Sequence, residues 1–374
     1  MKLEKYLLEV ITGQKRSIKD KVVLVLLTGL AWVYQGIVWT RKKAYDWGIK
    51  KSTKLSVPVI SVGNITVGGT GKTPVVKMLA RRLEKNNYQS VIINRGYKGQ
   101  LEKELGIVTD GEEILLSAQK AGDEAYMLAS SLFSTPVLIG KERSKAGKLA
   151  LEEFSPDFII LDDAFQHWQV KRDYDLVVVD ATNPFANGYL LPRGRLREPV
   201  TSLQRANCLL LTKADQITPE KLKKIKKCLR RFNPQALIIT TRHKPTYLRN
   251  IGKQEYKQLD LEGEKVLAVS GIGNPQAFEE TLRNLGAQVV DKFRFIDHHT
   301  YTKDQIMEIF TIASKQNVDR IITTEKDVVS INQELVAEIN RQQINLEVLG
   351  IEIEILDSKE KADQLLIQLE GLQR

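Results

Sequence analysis

Short apolar runs recur along the chain at regular intervals. They cover residues 57–63, 90–93, 136–139, 158–161, 176–179 and 209–211. They are continuous rather than alternating, and rich in Val and Ile. That is the pattern of strands buried on both faces of a parallel sheet. Amphipathic stretches at 75–85, 123–132 and 143–154 lie between them and predict helices. Strand and helix alternating in this way predict an α/β, doubly wound sheet. A basic amphipathic helix follows at 218–231, then a polar, irregular stretch at 233–264 with a strand-like piece at 237–240. A second α/β unit begins at Lys265. Its strands are expected at 265–273, 287–290, 320–324 and 346–355, and its helices at 277–285, 303–316 and 358–372. The expected division is an N-terminal helical segment at 1–45, a P-loop NTPase-like domain at 46–232, a linker at 233–264 and a smaller α/β domain at 265–374. No internal repeat or low-complexity tract interrupts it.

Residues 22–40 form an uncharged run. As a helix it is about 28 Å long at about 1.5 Å per residue, just enough for a hydrocarbon core. Lys19 and Lys21 precede it, and Arg41, Lys42 and Lys43 follow. The run lies too late, and is too basic behind, for a signal peptide. A spanning helix, an interfacial helix and a buried helix all fit. Trp32, Tyr34 and Gln35 near its middle favour one lying in the interface, and the basic flanks suit anionic headgroups.

Charge sharpens this picture. The chain has 374 residues and a formal net charge of +10. Residues 1–54 carry +8 of it, and the remaining body only +2. A nearly neutral body argues against a nucleic-acid binder, which would spread basic surface over the whole molecule. Two cysteines, Cys208 and Cys228, fit no metal or disulfide spacing and suggest a reducing compartment.

The strongest candidate chemistry lies at 57–74, VPVISVGNITVGGTGKTP. A strand-like run ends at Gly63, and Gly71-Lys72-Thr73 opens a helix. Glycines let several N–H groups converge on one centre, and a helix N-terminus adds its positive dipole end. Lys72 supplies a point charge for the β/γ-phosphates, and the Thr73 hydroxyl is a Mg²⁺ ligand. The nucleotide-binding residues are Thr66, Val67, Gly68, Gly69, Thr70, Gly71, Lys72 and Thr73. The motif departs from G-x-x-x-x-G-K-[ST] at its first position, which is Thr66.

Asp162 and Asp163 end the apolar strand at 158–161, where a carboxylate holds or orients Mg²⁺. Gln166 and His167 follow on the loop. Gly122-Asp123-Glu124 precedes a helix. These acids fit a helix start, and Asp123 also fits the acid that accepts a sugar hydroxyl's proton in a kinase. Asp297-His298-His299 suits a helix start or an acid/base pair, and no ligand spacing for zinc accompanies it. Arg193, Arg195 and Arg197 share one loop, where guanidinium forks suit phosphate. Arg95, Lys141 and Arg143 supply further basic points. Thr212-Lys213-Ala214-Asp215 is similar to the base-reading element of GTPases, with Thr in place of the usual Asn. A regulatory or metal-delivery P-loop GTPase is therefore the alternative function.

Together, GNITVGGTGKTP, NRGYKG, GDEAYMLA, GKERSKAG, LDDAFQH, LPRGRLREP, LTKAD, FIDHHTY and TTEKD resemble the tetraacyldisaccharide 4'-kinases of lipid A biosynthesis. The motifs run in order from about residue 57 to 330, and Thr66 itself fits the family pattern. The resemblance implies Mg²⁺-dependent transfer of the γ-phosphoryl group of ATP to the 4'-hydroxyl of a tetra-acylated glucosamine disaccharide 1-phosphate, giving lipid IVA. It implies association with the cytoplasmic face of the inner membrane. It implies Asp123 and His298 as catalytic residues, and Asp162, Asp163 and His167 as the acidic, metal-side motif. Arg95, Glu124, Arg143 and the three arginines of the 193–197 loop are substrate or phosphate candidates.

Overall fold

The computed structural model describes residues 2–251, 255–296, 299–331 and 333–373. In chain order the helices are α1 (Lys2–Ile11), α2 (Ile18–Asp46), α3 (Lys72–Lys85), α4 (Ala118–Ala121), α5 (Asp123–Ser131), α6 (Arg143–Phe154), α7 (Pro219–Phe232), α8 (Pro275–Asn284), α9 (Lys303–Lys315), α10 (Glu325–Val328), α11 (Gln333–Asn340) and α12 (Lys359–Glu370). The strands are β1 (Val59–Gly63), β2 (Ser90–Asn94), β3 (Gly106–Thr109), β4 (Val137–Ile139), β5 (Phe158–Asp162), β6 (Tyr174–Asp180), β7 (Cys208–Thr212), β8 (Leu237–Asn250), β9 (Tyr256–Lys257), β10 (Lys265–Ser270), β11 (Gln288–Arg294), β12 (Arg320–Thr324) and β13 (Asn345–Ile355).

The chain forms two compact units, and neither is a continuous segment. The first comprises the chain up to Ile93, Glu142–Arg242, and the chain from Ile355 onward. The second comprises Asn94–Lys141 and His243–Glu354. This differs from the consecutive division expected from sequence in three ways. Residues 94–141 belong with the second unit. The stretch 233–264 is not an irregular linker, since β8 occupies fourteen of its residues. The last helix joins the first unit, where Leu365 and Leu369 are fully buried and Gln368 accepts a 2.6 Å hydrogen bond from the Tyr174 hydroxyl. Burying two leucines contributes about 3–6 kcal/mol, at about 1.5–3 kcal/mol each.

In the first unit, six strands run parallel in the order β8-β7-β6-β1-β5-β2. The chain moves to one side of β1 and then to the other, so β1 stands where strand order reverses. Ligands of such sheets bind outside the carboxyl ends of the strands at that reversal. One sheet face is covered by an apolar cluster in which Val177, Val179, Leu209, Leu211 and Ile238 meet Ile225 and Leu229 of α7 and Ala31 of α2.

Helix α2 begins on a capping box. The Ser17 hydroxyl accepts from the Asp20 N–H, and the Asp20 carboxylate accepts from the Ser17 N–H at 2.7 Å. Leu27 and Ala31 are buried, and the Tyr34 hydroxyl donates to the Arg197 carbonyl at 3.0 Å. Val25, Leu26, Trp32, Val33 and Ile37 face outward, each more than 60% exposed. Only 11% of the helix's most apolar stretch is buried, so a core helix is the wrong reading of residues 22–40.

In the second unit, β11-β10-β12-β13 pair in parallel and β8 lies next to β13, with β9 antiparallel to it. Residues 137–139 form β4, as expected, and pair antiparallel with β3, a strand not expected from sequence. β3 is only four residues long, GIVT, and its three β-branched residues are the one sequence signal for it.

Candidate active site

The first unit builds one site at the carboxyl edge of β1. The loop between β1 and α3 has left-handed glycines at Gly68 (φ +117°) and Gly71 (φ +87°), and Gly71 caps α3. A side chain at either position is strained, so only glycine turns the N–H groups inward without cost. Three contacts hold the loop from behind, two of them fully buried. Asn64 Nδ2 donates to Thr70 Oγ1 at 2.8 Å, the Thr212 hydroxyl donates to the Thr70 carbonyl at 2.9 Å, and Gln166 Nε2 donates to the Asn64 carbonyl at 2.9 Å. Asn64 Oδ1 and Gln166 Oε1 are buried with no hydrogen-bond partner among the described residues, which suits a polar ligand or its waters at the loop's base.

Parallel pairing brings the strand-end acids to this loop. Asp162 lies opposite Val62 of β1 and is 1% exposed. Asp163, with φ +49°, turns its carboxylate to two cations. Arg197 Nη1 stands 2.8 and 2.9 Å from its two oxygens, and Lys72 Nζ is 3.7 Å away. Burial works to raise the Asp163 carboxyl, but the charges of Lys72 and Arg197, with Arg143 behind them, outweigh it and hold it below the ordinary carboxylate range. The oxygen donors here, Thr73 and the two aspartates, suit a hard divalent cation such as Mg²⁺ rather than zinc.

The arginine loop is fastened to the phosphate loop by its main chain. The Val67 N–H donates to the Arg195 carbonyl at 2.7 Å, and the Arg197 N–H donates to the Ile65 carbonyl at 2.7 Å. Its three guanidiniums go different ways. Arg193 stacks on Tyr189 at 4.3 Å, Arg197 pairs with Asp163, and Arg195 reaches over Gly68. His167 is half-buried on the same loop as Gln166.

Within the TKAD stretch, Thr212 is fully buried and supports the glycine loop, and Lys213 is ion-paired with Asp180 at the end of the neighbouring strand. Asp215 is exposed. Sequence reasoning missed Asn64 and Thr212 as supports of the loop. The one available signal was a polar residue closing an otherwise apolar strand.

The second unit gathers the other motifs. Asp123 opens α5, directly after Gly122 (φ +85°). A Cβ at Gly122 would lie 2.6 Å from the Tyr97 carbonyl, so the NRGYKG turn is packed directly on the start of α5. Glu124 shares this first turn. Arg95 pairs with Glu102 at 3.0 Å and lies over the Tyr97 ring, and Lys141 is exposed. Helix α5 packs on α10, which carries the acids of TTEKD.

His298 and Asp297 lie outside the described residues. Their neighbour His299 stacks on Phe295 at 4.3 Å and meets Tyr301 edge-on at 5.0 Å, with Nε2 2.9 Å from Gln305 Oε1. Against Tyr301 lies Asp327, 2% exposed. It accepts from the Tyr301 hydroxyl at 2.9 Å, the Gly271 N–H at 2.8 Å and the Thr324 hydroxyl at 2.6 Å. Burial pushes its carboxyl above the ordinary range, against these hydrogen bonds. Asp123 and the residues flanking the two histidines therefore belong to one unit, not to the two domains that sequence spacing suggested.

The tetraacyldisaccharide-1-P 4'-kinase family (LpxK) matches residues 23–370. The tetraacyldisaccharide 4'-kinase of Halothermothrix orenii is 42% identical over 365 residues, covering 95% of both chains. That of Pelobacter propionicus is 36% identical over 323 residues, covering 86% of both. The crystal structure of the "apo" form of LpxK from Aquifex aeolicus in complex with ATP is 30% identical. It covers 93% of this chain and 99% of its own, with a TM-score of 0.71.

Proposed function

The chain belongs to the tetraacyldisaccharide-1-P 4'-kinase family, and from that premise we propose that it transfers the γ-phosphoryl group of ATP to the 4'-hydroxyl of a tetra-acylated glucosamine disaccharide 1-phosphate, giving lipid IVA. The observation that carries this reading is the glycine loop at the carboxyl end of β1, with Lys72 held against Asp163 and Asp162 ending the adjacent strand.

Each residue has a task of known chemistry. The loop N–H groups from Gly68 to Thr73 and the Lys72 ammonium bind the β- and γ-phosphates. Thr73, Asp162 and Asp163 would hold Mg²⁺, which would supply charge neutralisation to the phosphates. Asp123 accepts the proton of the 4'-hydroxyl, with His298 as its partner, a pairing that rests on the family resemblance. As that proton leaves, the 4'-oxygen bonds to the γ-phosphorus, the bond to the β,γ-bridging oxygen breaks, and ADP departs with those electrons. His167, Glu124 and Arg143 are proposed to orient acceptor or phosphate.

The acceptor's acyl chains call for a membrane surface. The outward apolar face of α2 and the +8 N-terminal segment fit the anionic cytoplasmic leaflet of the inner membrane. The test is a transfer assay with the purified chain, labelled ATP, detergent and the lipid disaccharide 1-phosphate. Labelled 4'-phosphate is expected, and none with Lys72→Ala. GTP hydrolysis that needs no lipid acceptor would sink the reading in favour of the GTPase alternative.

A further inference from the structure

The three arginines of the 193–197 loop look equivalent in sequence, but their surroundings separate them. Arg193 is spent on the Tyr189 ring and Arg197 on Asp163. Arg195 is exposed, and its guanidinium makes no ion pair or side-chain hydrogen bond among the described residues. An arginine with no partner usually extends into solvent. This one is held over the phosphate loop instead, because its own carbonyl accepts from the Val67 N–H and the next-but-one residue donates back to Ile65. These two main-chain bonds flank an antiparallel bridge between Thr66 and Leu196. The loop of 193–197 is thereby an added edge of the phosphate loop, in register with it. A Cβ at Gly68 would lie 2.1 Å from Arg195 Nη2, so the guanidinium lies directly against the bare backbone of Gly68 at the loop's outer rim.

We propose that Arg195 is a phosphate-contacting residue of the nucleotide site, supplied by the same chain, which grips the terminal phosphoryl group of the bound triphosphate rather than the 1-phosphate of the lipid acceptor. The inference rests on the reading of 66–73 as an ATP loop. Lys72 approaches from the helix side and is already neighboured by Asp163, so it supplies charge from one direction only. A guanidinium over Gly68 supplies it from another, in a planar fork that matches two phosphoryl oxygens. Arg195 forms and breaks no bond in the transfer. It stabilises the charge that the equatorial oxygens carry while the terminal phosphoryl group moves. Gly68 itself is required by its φ of +117°.

The test compares wild type, Arg195→Ala and Arg195→Lys as full-length chains in detergent. Binding of Mg²⁺-AMPPNP and Mg²⁺-ADP is measured by titration calorimetry, and transfer kinetics are measured for both substrates. Arg195→Ala is expected to weaken AMPPNP by ~10-fold or more, with ADP within about twofold and acceptor KM unchanged, while kcat falls by ~10²-fold or more. Arg195→Lys should recover part of kcat. Equal losses for AMPPNP and ADP would overturn the proposal, since they would mark a general support of the loop. So would a raised acceptor KM with unchanged nucleotide binding, which would assign Arg195 to the acceptor's phosphate. Lys72→Ala serves as the reference. If that variant binds AMPPNP like wild type, the ATP-loop reading itself fails, and the Arg195 assignment with it.

Discussion

The guanidinium of Arg197 closes on the carboxylate of Asp163 from 2.8 and 2.9 Å, and the same carboxylate neighbours Lys72 Nζ at 3.7 Å. Asp163 is thus shared between Lys72 at the start of α3 and Arg197, a loop residue thirty-four positions downstream of it. Asp163→Asn should leave both cations without a counter-charge. The expected outcome is a loss of about 1–2 kcal/mol in stability and a fall in kcat, checked by urea unfolding and the transfer assay.

That pair also fixes a pH response. The Asp163 carboxyl is held below its ordinary value, so its contribution to stability is present above the ordinary carboxylate range, near pH 4. It is lost as pH falls through the lowered value. Unfolding free energies between about pH 2 and 6 should therefore decline toward acid in wild type, and less steeply in Asp163→Asn. Identical slopes would refute the assignment.

Asp327 predicts the opposite slope. Burial raises its carboxyl, so the folded chain binds the proton more readily than the unfolded one. Stability from this group should fall as pH rises from the ordinary value through the raised one. Asp327→Asn should flatten that part of the profile. Asp327→Ala leaves the Gly271 N–H and the Tyr301 hydroxyl without an acceptor, and should cost about 2–4 kcal/mol, measured by chemical denaturation.

Thr212 separates support of the phosphate loop from base reading. Thr212→Val removes the donor to the Thr70 carbonyl while keeping the volume. Nucleotide affinity should drop several-fold for ATP and GTP alike, measured by calorimetry. A change confined to one base would point back to a base-reading role.

The outward face of α2 predicts where the chain holds to lipid. Replacing Val25, Leu26, Val33 and Ile37 with Gln should abolish co-sedimentation with anionic vesicles, because all four side chains point away from the core. The unfolding midpoint should shift by no more than a few degrees, since each surface change alters stability by less than about 0.5 kcal/mol.

Asp123 is tested against Lys72. Asp123→Ala should lower kcat by ~10²–10⁴-fold while AMPPNP binding is retained. Lys72→Ala should lose both.

What the sequence determined by itself was everything that depends on near neighbours. Apolar runs, the start of the helix at 303, the glycine turn before Lys72 and the acids closing β5 are all set within a few residues, so their patterns are legible along the chain. Tertiary structure decided which distant segments share a core. It moved residues 94–141 into the second unit with His299 and Tyr301, and returned α12 to the first. It sorted three equivalent arginines into a stacked one, a paired one and one over Gly68, and turned Thr212 from a base-reading candidate into a prop for the phosphate loop. The reason is that a side chain's partner is chosen by strand order and by the hydrogen bonds that close the sheet. Those pairings join residues dozens to hundreds of positions apart, and no local pattern encodes them.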